Sequence, residues 1–168
     1  LLGLKAGEVL GVTGAAGAYG GYIIQLAKTE GLTVIADASD ADFELVRSLG
    51  ADHVVRRGTN VALAMLEKFP NGVDGLADGA VQNEAVISAV RDGGAFTAVR
   101  GFIGNSQRNI NFSQTFVRNY DCEFEKLDAL RKLVNAEKLS LRVADTFTPE
   151  NVSSAHTRLE AGGTRGRL

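Results

Sequence analysis

The residues of this chain with the clearest chemical potential are small ones. Gly14-Ala15-Ala16-Gly17-Ala18-Tyr19-Gly20 follows a β-rich run from Glu8 to Thr13. It opens a stretch in which Tyr19, Tyr22, Ile23, Leu26 and Ala27 fall at helical spacing before Gly31. A glycine-rich turn between strand and helix exposes backbone N–H groups where no intrahelical acceptor exists and the helix dipole is positive. That is chemistry for an anion, a phosphate above all. Read as G-x-G-x-x-G, the pattern has Ala15 in the first slot. Gly17 holds the second, where backbone would approach a pyrophosphate, and Gly20 the third, where the helix would pack closely. An acid is expected roughly 20 positions further on, at the end of the second strand. Asp37 stands there, followed by Ala38 and Ser39. Its carboxylate could accept hydrogen bonds from the ribose hydroxyls of a dinucleotide. The bland alternative is a turn that only packs, with Asp37 a solvated strand-end residue.

Other residues bear on the same site. Asp37, with Asp40 and Asp42 nearby, would repel a 2′-phosphate and favours NAD(H). Arg56 and Arg57, after a third strand, could neutralise one and favour NADP(H), or be an exposed basic pair. The cofactor choice, NADP(H) or NAD(H), stays open on these residues. Asp78-Gly79-Ala80 ends a fourth strand, and Gly101-Phe102-Ile103 follows a fifth. Both fall at the carboxyl edge, where ligands bind in open parallel sheets. Arg100 could reach a phosphate or a substrate there, or simply face solvent. His53 reads as a surface residue opening a strand, and His156 as a solvated position on a late helix. The acids flanking Cys122 disfavour a reactive thiolate. No His, Cys and carboxylate set has metal-ligand spacing, so zinc is not indicated in this chain. No catalytic residue is assigned.

The elements that must position these residues alternate in type. Thr33 to Ala36 reads as a second strand. Ser39 with Asp42 resembles a capping box opening a helix with Phe43, Val46 and Leu49 on its inner face. His53 to Val55 is a third strand, and Thr59 or Asn60 caps a helix through Leu66. Val73 to Ala77 is a fourth strand. Val81, Ala85, Val86, Ala89 and Val90 form a helix ending at Gly93-Gly94, and Ala95 to Val99 is a fifth strand. Strand and helix in alternation build βαβ units, and the strands lack polar alternation, as when both faces are covered. The fold class is α/β: a Rossmann-type doubly wound parallel sheet with helices on both faces. Beyond Arg100 the pattern loosens. Residues 104–111 read as a polar loop and 115–124 as a strand. A helix carries Leu127, Leu130, Val134 and Leu139, residues 141–147 are extended, and Thr148-Pro149-Glu150 starts a last helix.

Composition excludes several classes. The chain has 168 residues, 45% hydrophobic and 23% charged, with a formal charge of −2, which suits one globular domain and gives no basic footprint for nucleic acid or a membrane surface. A single cysteine allows no internal disulfide, and no apolar run approaches the ~20 residues of a membrane helix. A cytoplasmic protein is the expectation. The first residue is Leu, and Arg165 to Leu168 look like a strand just begun, so the chain reads as part of something longer.

Several segments together resemble a known family. Lys5-Ala6-Gly7-Glu8 through the turn to Gln25-Leu26-Ala27-Lys28 is similar to the cofactor domain of the medium-chain dehydrogenases/reductases. So are Leu49-Gly50-Ala51-Asp52-His53-Val54 and the stretch from Ala155-His156 to Gly166-Arg167-Leu168. Alanine in the first motif slot resembles the quinone oxidoreductase-like branch. The resemblance implies an NAD(P)(H)-dependent oxidoreductase moving hydride between nicotinamide and a carbonyl, alcohol, quinone or activated alkene. It also implies an upstream catalytic domain that would carry any zinc ligands. Residues 1–139 would then bind the nucleotide, and 140–168 would return to that domain. In this light Tyr19 stands at a slot that is small in relatives and faces the nicotinamide; it would shape or partly fill that site, or else be a helix-start aromatic packing into the core. Asp42 stands where NADPH-using relatives have lysine, and backbone at Gly101, Phe102 and Ile103 meets the carboxamide. A homodimer through the 115–124 edge is also implied. Two further readings remain: a non-catalytic NAD(P)H-binding or redox-sensing module, and a methyltransferase, against which stands the lack of an Asn/Asp-Pro-Pro motif after the fourth strand.

Overall fold

The computed structural model describes residues 1–105 and 108–168. Its frame is a six-stranded sheet of β1 (Val9–Thr13), β2 (Thr33–Ala38), β3 (His53–Arg56), β4 (Val73–Asp78), β5 (Val90–Ala98) and β6 (Asn111–Gln114), in the order β3-β2-β1-β4-β5-β6. Every neighbouring pair is parallel. The crossovers are α1 (Ala18–Thr29), α2 (Phe43–Ser48), α3 (Val61–Lys68) and α4 (Glu84–Ile87). One core cluster joins Val12, Val34 and Ala36 to Ile24 of α1 and Val46 of α2. The other joins Ile35, Leu76 and Phe96 to Met65 of α3 and Val86 of α4. Helices on both faces explain why β1, β2 and β4 are buried along almost their whole length, as the α/β reading required. The strand order reverses between β1 and β4. The crevice beyond their carboxyl ends is where such sheets hold ligands.

The structure departs from the sequence expectations after the fourth strand. The expected helix over Val81 to Val90 shrinks to α4, because Val81 and Asn83 take left-handed backbone at φ 56° and 51°. Val90 instead opens β5, fully buried opposite Val73. Gly94 lies inside that strand, where a Cβ would sit 2.7 Å from Val90 Cγ1 and 2.9 Å from the Asp74 carbonyl. The expected strand over 115–124 is absent. The edge strand is β6, closed by the Thr97–Thr115 hydroxyl contact at 3.0 Å, and Val117–Tyr120 is a 3₁₀ turn. Phe116 and Val117 have strand-forming side chains but find no sheet neighbour and stay exposed. Of the expected loop 104–111, residues 106 and 107 lie outside the described residues, and Asn111 belongs to β6. Residues 141–147 hold one bridge, Val143 to Arg167, rather than an extended strand. The last helices are α5 (Phe124–Asn135) and α6 (Val152–Glu160). Among the described residues no helix is long and apolar enough to cross a membrane.

Candidate functional site

The glycine-rich turn is built by close contacts that side chains would prevent. Gly14 follows β1 at φ +64°, and a Cβ there would sit 2.8 Å from the carbonyl carbon of Gly79 at the end of β4. The left-handed residue is therefore Gly14, one position before the motif's first slot. Ala15 can carry a methyl group and is buried. Gly17 caps α1 in extended backbone, its N–H bonded to Gly14 O at 3.0 Å. At Gly20 a Cβ would lie 2.5 Å from Gly14 O and 2.7 Å from Ala15 Cα, so the third glycine lets α1 rest on the turn itself. The first N–H groups of a helix lack intrahelical acceptors and sit at the positive end of its dipole. Ala18 and Gly20 lie in the first turn of α1, and neither lines the cleft that opens beside Asp37.

Asp37 ends β2 against the turn and is 1% exposed. Its Oδ1 accepts from Ala15 N at 3.1 Å, while Oδ2 is buried without a partner. Burial pushes its carboxyl above the usual carboxylate range, opposed by the Ala15 amide and the Arg57 charge. A cleft of about 220 Å³ opens here. Gly14, Ala15, Ala16, Gly17, Asp37, Ala38, Ser39 and Arg57 all line it, as do Gly79 and Ala80. The arrangement fits a dinucleotide. Glycines keep the turn clear of side chains, helix N–H groups can meet phosphate, and an unpartnered buried carboxylate oxygen can accept from a ribose hydroxyl.

Other expected residues stand elsewhere. Asp78 is fully buried and does not line the cleft. Its carboxylate accepts from the Thr13 hydroxyl at 2.5 Å, Ala80 N at 3.1 Å and Asn83 N at 2.7 Å, and so holds the β4–α4 loop. Tyr19 lies over Gly79, whose added Cβ would meet its ring at 2.9 Å, and lines a second, mostly apolar cavity with Thr97 and Thr115. Burial raises the Tyr19 phenol pKa, and a hydrogen bond with Thr115 opposes that rise. Phe102 packs edge-on against Phe96 and Phe112 at 5.8 and 6.1 Å. Ile103 is exposed, and Gly101 faces Gln114. None of these three lines the cleft. Arg56 separates from Arg57, pairing on the surface with Asp40 at 3.2 Å. His53 packs edge-on against Phe69 at 5.4 Å, and Cys122 is exposed. Among the described residues no group of three or more His, Cys, Asp and Glu could hold a metal.

The sequence reading missed the C-terminal wall of the cleft, which is Gly163, Thr164 and Arg165. Arg165 binds Asp42 twice, with Nε to Oδ1 at 2.5 Å and Nη2 to Oδ2 at 3.0 Å. That hydrogen bond, ahead of one from Ser39, holds the Asp42 carboxyl below its usual range. Ser39 spends its hydroxyl on the Asp42 carboxylate, at 2.6 Å, rather than on a capping amide. No sequence signal pointed to Arg165, because the burial of Asp42 that calls for a cation is visible only in the fold.

Comparison with known proteins agrees with this geometry. A family described as zinc-binding dehydrogenase matches residues 49–168, more than two thirds of the chain. The chain belongs to the zinc-binding dehydrogenase family. A 2-methylene-furan-3-one reductase of Solanum lycopersicum is 31% identical over 103 residues, covering 60% of this chain and 26% of that protein. A probable oxidoreductase from Mycobacterium abscessus is 28% identical, with a TM-score of 0.78 over 97% of this chain and 54% of the other. A quinone oxidoreductase from Pseudomonas syringae pv. Tomato DC3000 shares the fold at a TM-score of 0.86 and 20% identity, over 98% of this chain and 57% of that one. This member of the family thus spans about a quarter of the curated relative it matches and just over half of these structures. The matched family agrees with the resemblance to the medium-chain dehydrogenases/reductases, and a quinone oxidoreductase from Coxiella burnetii is 26% identical, with a TM-score of 0.80 over 96% of this chain and 52% of that one.

Proposed function

We propose that this chain is the nucleotide-binding part of an NAD(P)H-dependent oxidoreductase that passes hydride between nicotinamide and a quinone, an enone or another carbonyl substrate. The observation that carries the reading is the join of turn and acid: Gly14 and Gly20 packed against backbone, with Asp37 bonded to Ala15 N and its second oxygen unpartnered. The bound cofactor would supply the hydride. The residues here would seat it, with the turn and the start of α1 on the pyrophosphate and Asp37 Oδ2 on the adenosine ribose. Tyr19 would shape the nicotinamide end through the neighbouring cavity. The reductase names of the relatives support the reaction class.

NADP(H) is the preferred cofactor in this reading. Asp42 is neutralised by Arg165, and Arg57 and Arg165 both line the cleft beside Ser39. With Arg165 spent on Asp42, the Arg57 guanidinium is the group that favours a 2′-phosphate over a free hydroxyl. The open edge at β6 is the corresponding surface for a homodimer, and sedimentation reads it directly. A reducing, cytoplasmic setting goes with the same reading. The test is titration of the chain with NADPH and NADH at two salt concentrations, then hydride transfer to a quinone in the full-length protein. Tighter NADPH binding that weakens with salt is expected. A salt-insensitive preference for NADH would reject the NADP(H) assignment. Nucleotide binding without hydride transfer to any acceptor would favour a non-catalytic binding module.

A further inference from the structure

Arg142 reaches across from the C-terminal segment to the back of the phosphate turn. Its Nη1 donates to Ala16 O at 3.1 Å and its Nη2 to Gly17 O at 2.7 Å, while Nε is buried without a partner. The segment is locked in place around it. Ser140 N and Oγ both donate to Gln25 Oε1, at 2.8 and 2.9 Å, and Arg167 N donates to Arg142 O at 2.9 Å. Gly166 is glycine where a Cβ would sit 2.6 Å from the Arg142 carbonyl oxygen. Gly21 makes the room on the helix side, since a Cβ there would sit 3.1 Å from Arg142 Cζ and closer still to Nη2.

Two features set this arginine apart from a surface clamp. It is half-buried and, among the described residues, has no salt-bridged carboxylate within 4.0 Å, unlike Arg165 with Asp42. It also lies at the start of α1, where the helix dipole is already positive, an arrangement that is unfavourable until an anion joins it. The peptides are all trans. A carbonyl held at Gly17 therefore aims the Ala18 N–H the opposite way, off the far side of the turn.

We infer that Arg142 is a positioning residue for the cofactor's pyrophosphate: it fixes the turn's carbonyls from behind and adds a positive charge that no carboxylate bridges directly. The inference rests on the nucleotide reading above. The full chain is titrated with NADPH at several salt concentrations, as wild type and as Arg142→Gln, Arg142→Lys and Gly21→Ala, with the thermal midpoint of each measured without nucleotide. Arg142→Gln and Gly21→Ala are expected to weaken binding about tenfold, the scale of a lost charge-assisted contact. Arg142→Gln also flattens the salt dependence, and Arg142→Lys restores the slope and part of the affinity. If Arg142→Gln does not fold, Gly21→Ala and Arg142→Lys decide the matter by the same readouts. Wild-type affinity and salt slope in Arg142→Gln would overturn the inference alone. So would equal losses in Arg142→Gln and Arg142→Lys that track a fall in thermal midpoint, which mark a purely structural clamp. A wild-type chain that binds neither NADPH nor NADH would overturn the nucleotide reading, and this inference with it.

Discussion

Helices α1 and α5 are both 12 residues long and have opposite fates. α1 buries Gly20, Gly21, Ile24 and Ala27, whereas α5 buries no residue and leaves Phe124 and Leu127 exposed. Both carry apolar residues at helical spacing. The difference lies in what each faces. α1 lies on its own turn because Gly20 removes the side chain that would hold it off, and Ile24 then fills the core. α5 follows the last strand, and its stripe of Leu127, Leu130 and Val134 meets little of the chain. Periodicity makes a helix; only a complementary surface makes it a structural element.

The largest effect should come from closing the gap under α1. Gly20→Val places a side chain on the backbone of Gly14 and Ala15. It should cost about 4 kcal/mol and abolish nucleotide binding, as read by urea unfolding and titration. Ile24→Ala should cost about 3 kcal/mol by the same unfolding measurement, since a fully buried side chain leaves a cavity.

Arg165→Met ranks next, because it leaves the Asp42 carboxylate without its bidentate partner, and should lower the urea midpoint at neutral pH. The pH dependence has a definite sign. The folded pKa of Asp42 is lowered from 3.8, mainly by Arg165, so its contribution is present above that value and lost as pH falls through the lowered one. Urea midpoints followed from neutral pH down through 3.8 should show wild type and Arg165→Met converging in acid; a gap that stays constant would refute the pair. Tyr19→Val should change cofactor affinity with a smaller effect on the urea midpoint, since Tyr19 stands beside the turn over Gly79. Unchanged affinity would remove Tyr19 from the nicotinamide end. At the bottom, Leu127→Ala should stay within about 0.5 kcal/mol; a loss like that of Ile24→Ala would mean α5 is packed after all.

The first half of the fold was legible because its signals are local. Turn glycines, apolar strands and Asp37 occur in chain order, and the structure brings them into one cleft. Legibility failed where position depends on distant partners. Val90 looks helical beside Val86, yet its place is fixed by Val73 in the neighbouring strand. Residues 115–124 carry strand-forming side chains, but the sheet ends at Gln114. Asp78 has the right place for a ligand contact, yet Thr13, Ala80 and Asn83 use its carboxylate. Arg142 and Arg165 lie more than a hundred residues from the groups they bind, and no spacing rule links them.

The central claim is that the turn after β1 is a dinucleotide pyrophosphate site. Calorimetric titration of the chain with NADPH tests it most directly, run beside S-adenosylmethionine and the Gly20→Val variant. Saturable NADPH binding with one site per chain is expected, together with no binding of S-adenosylmethionine and none of NADPH to the variant. Saturable binding of S-adenosylmethionine, or no binding of either NADPH or NADH, would contradict it.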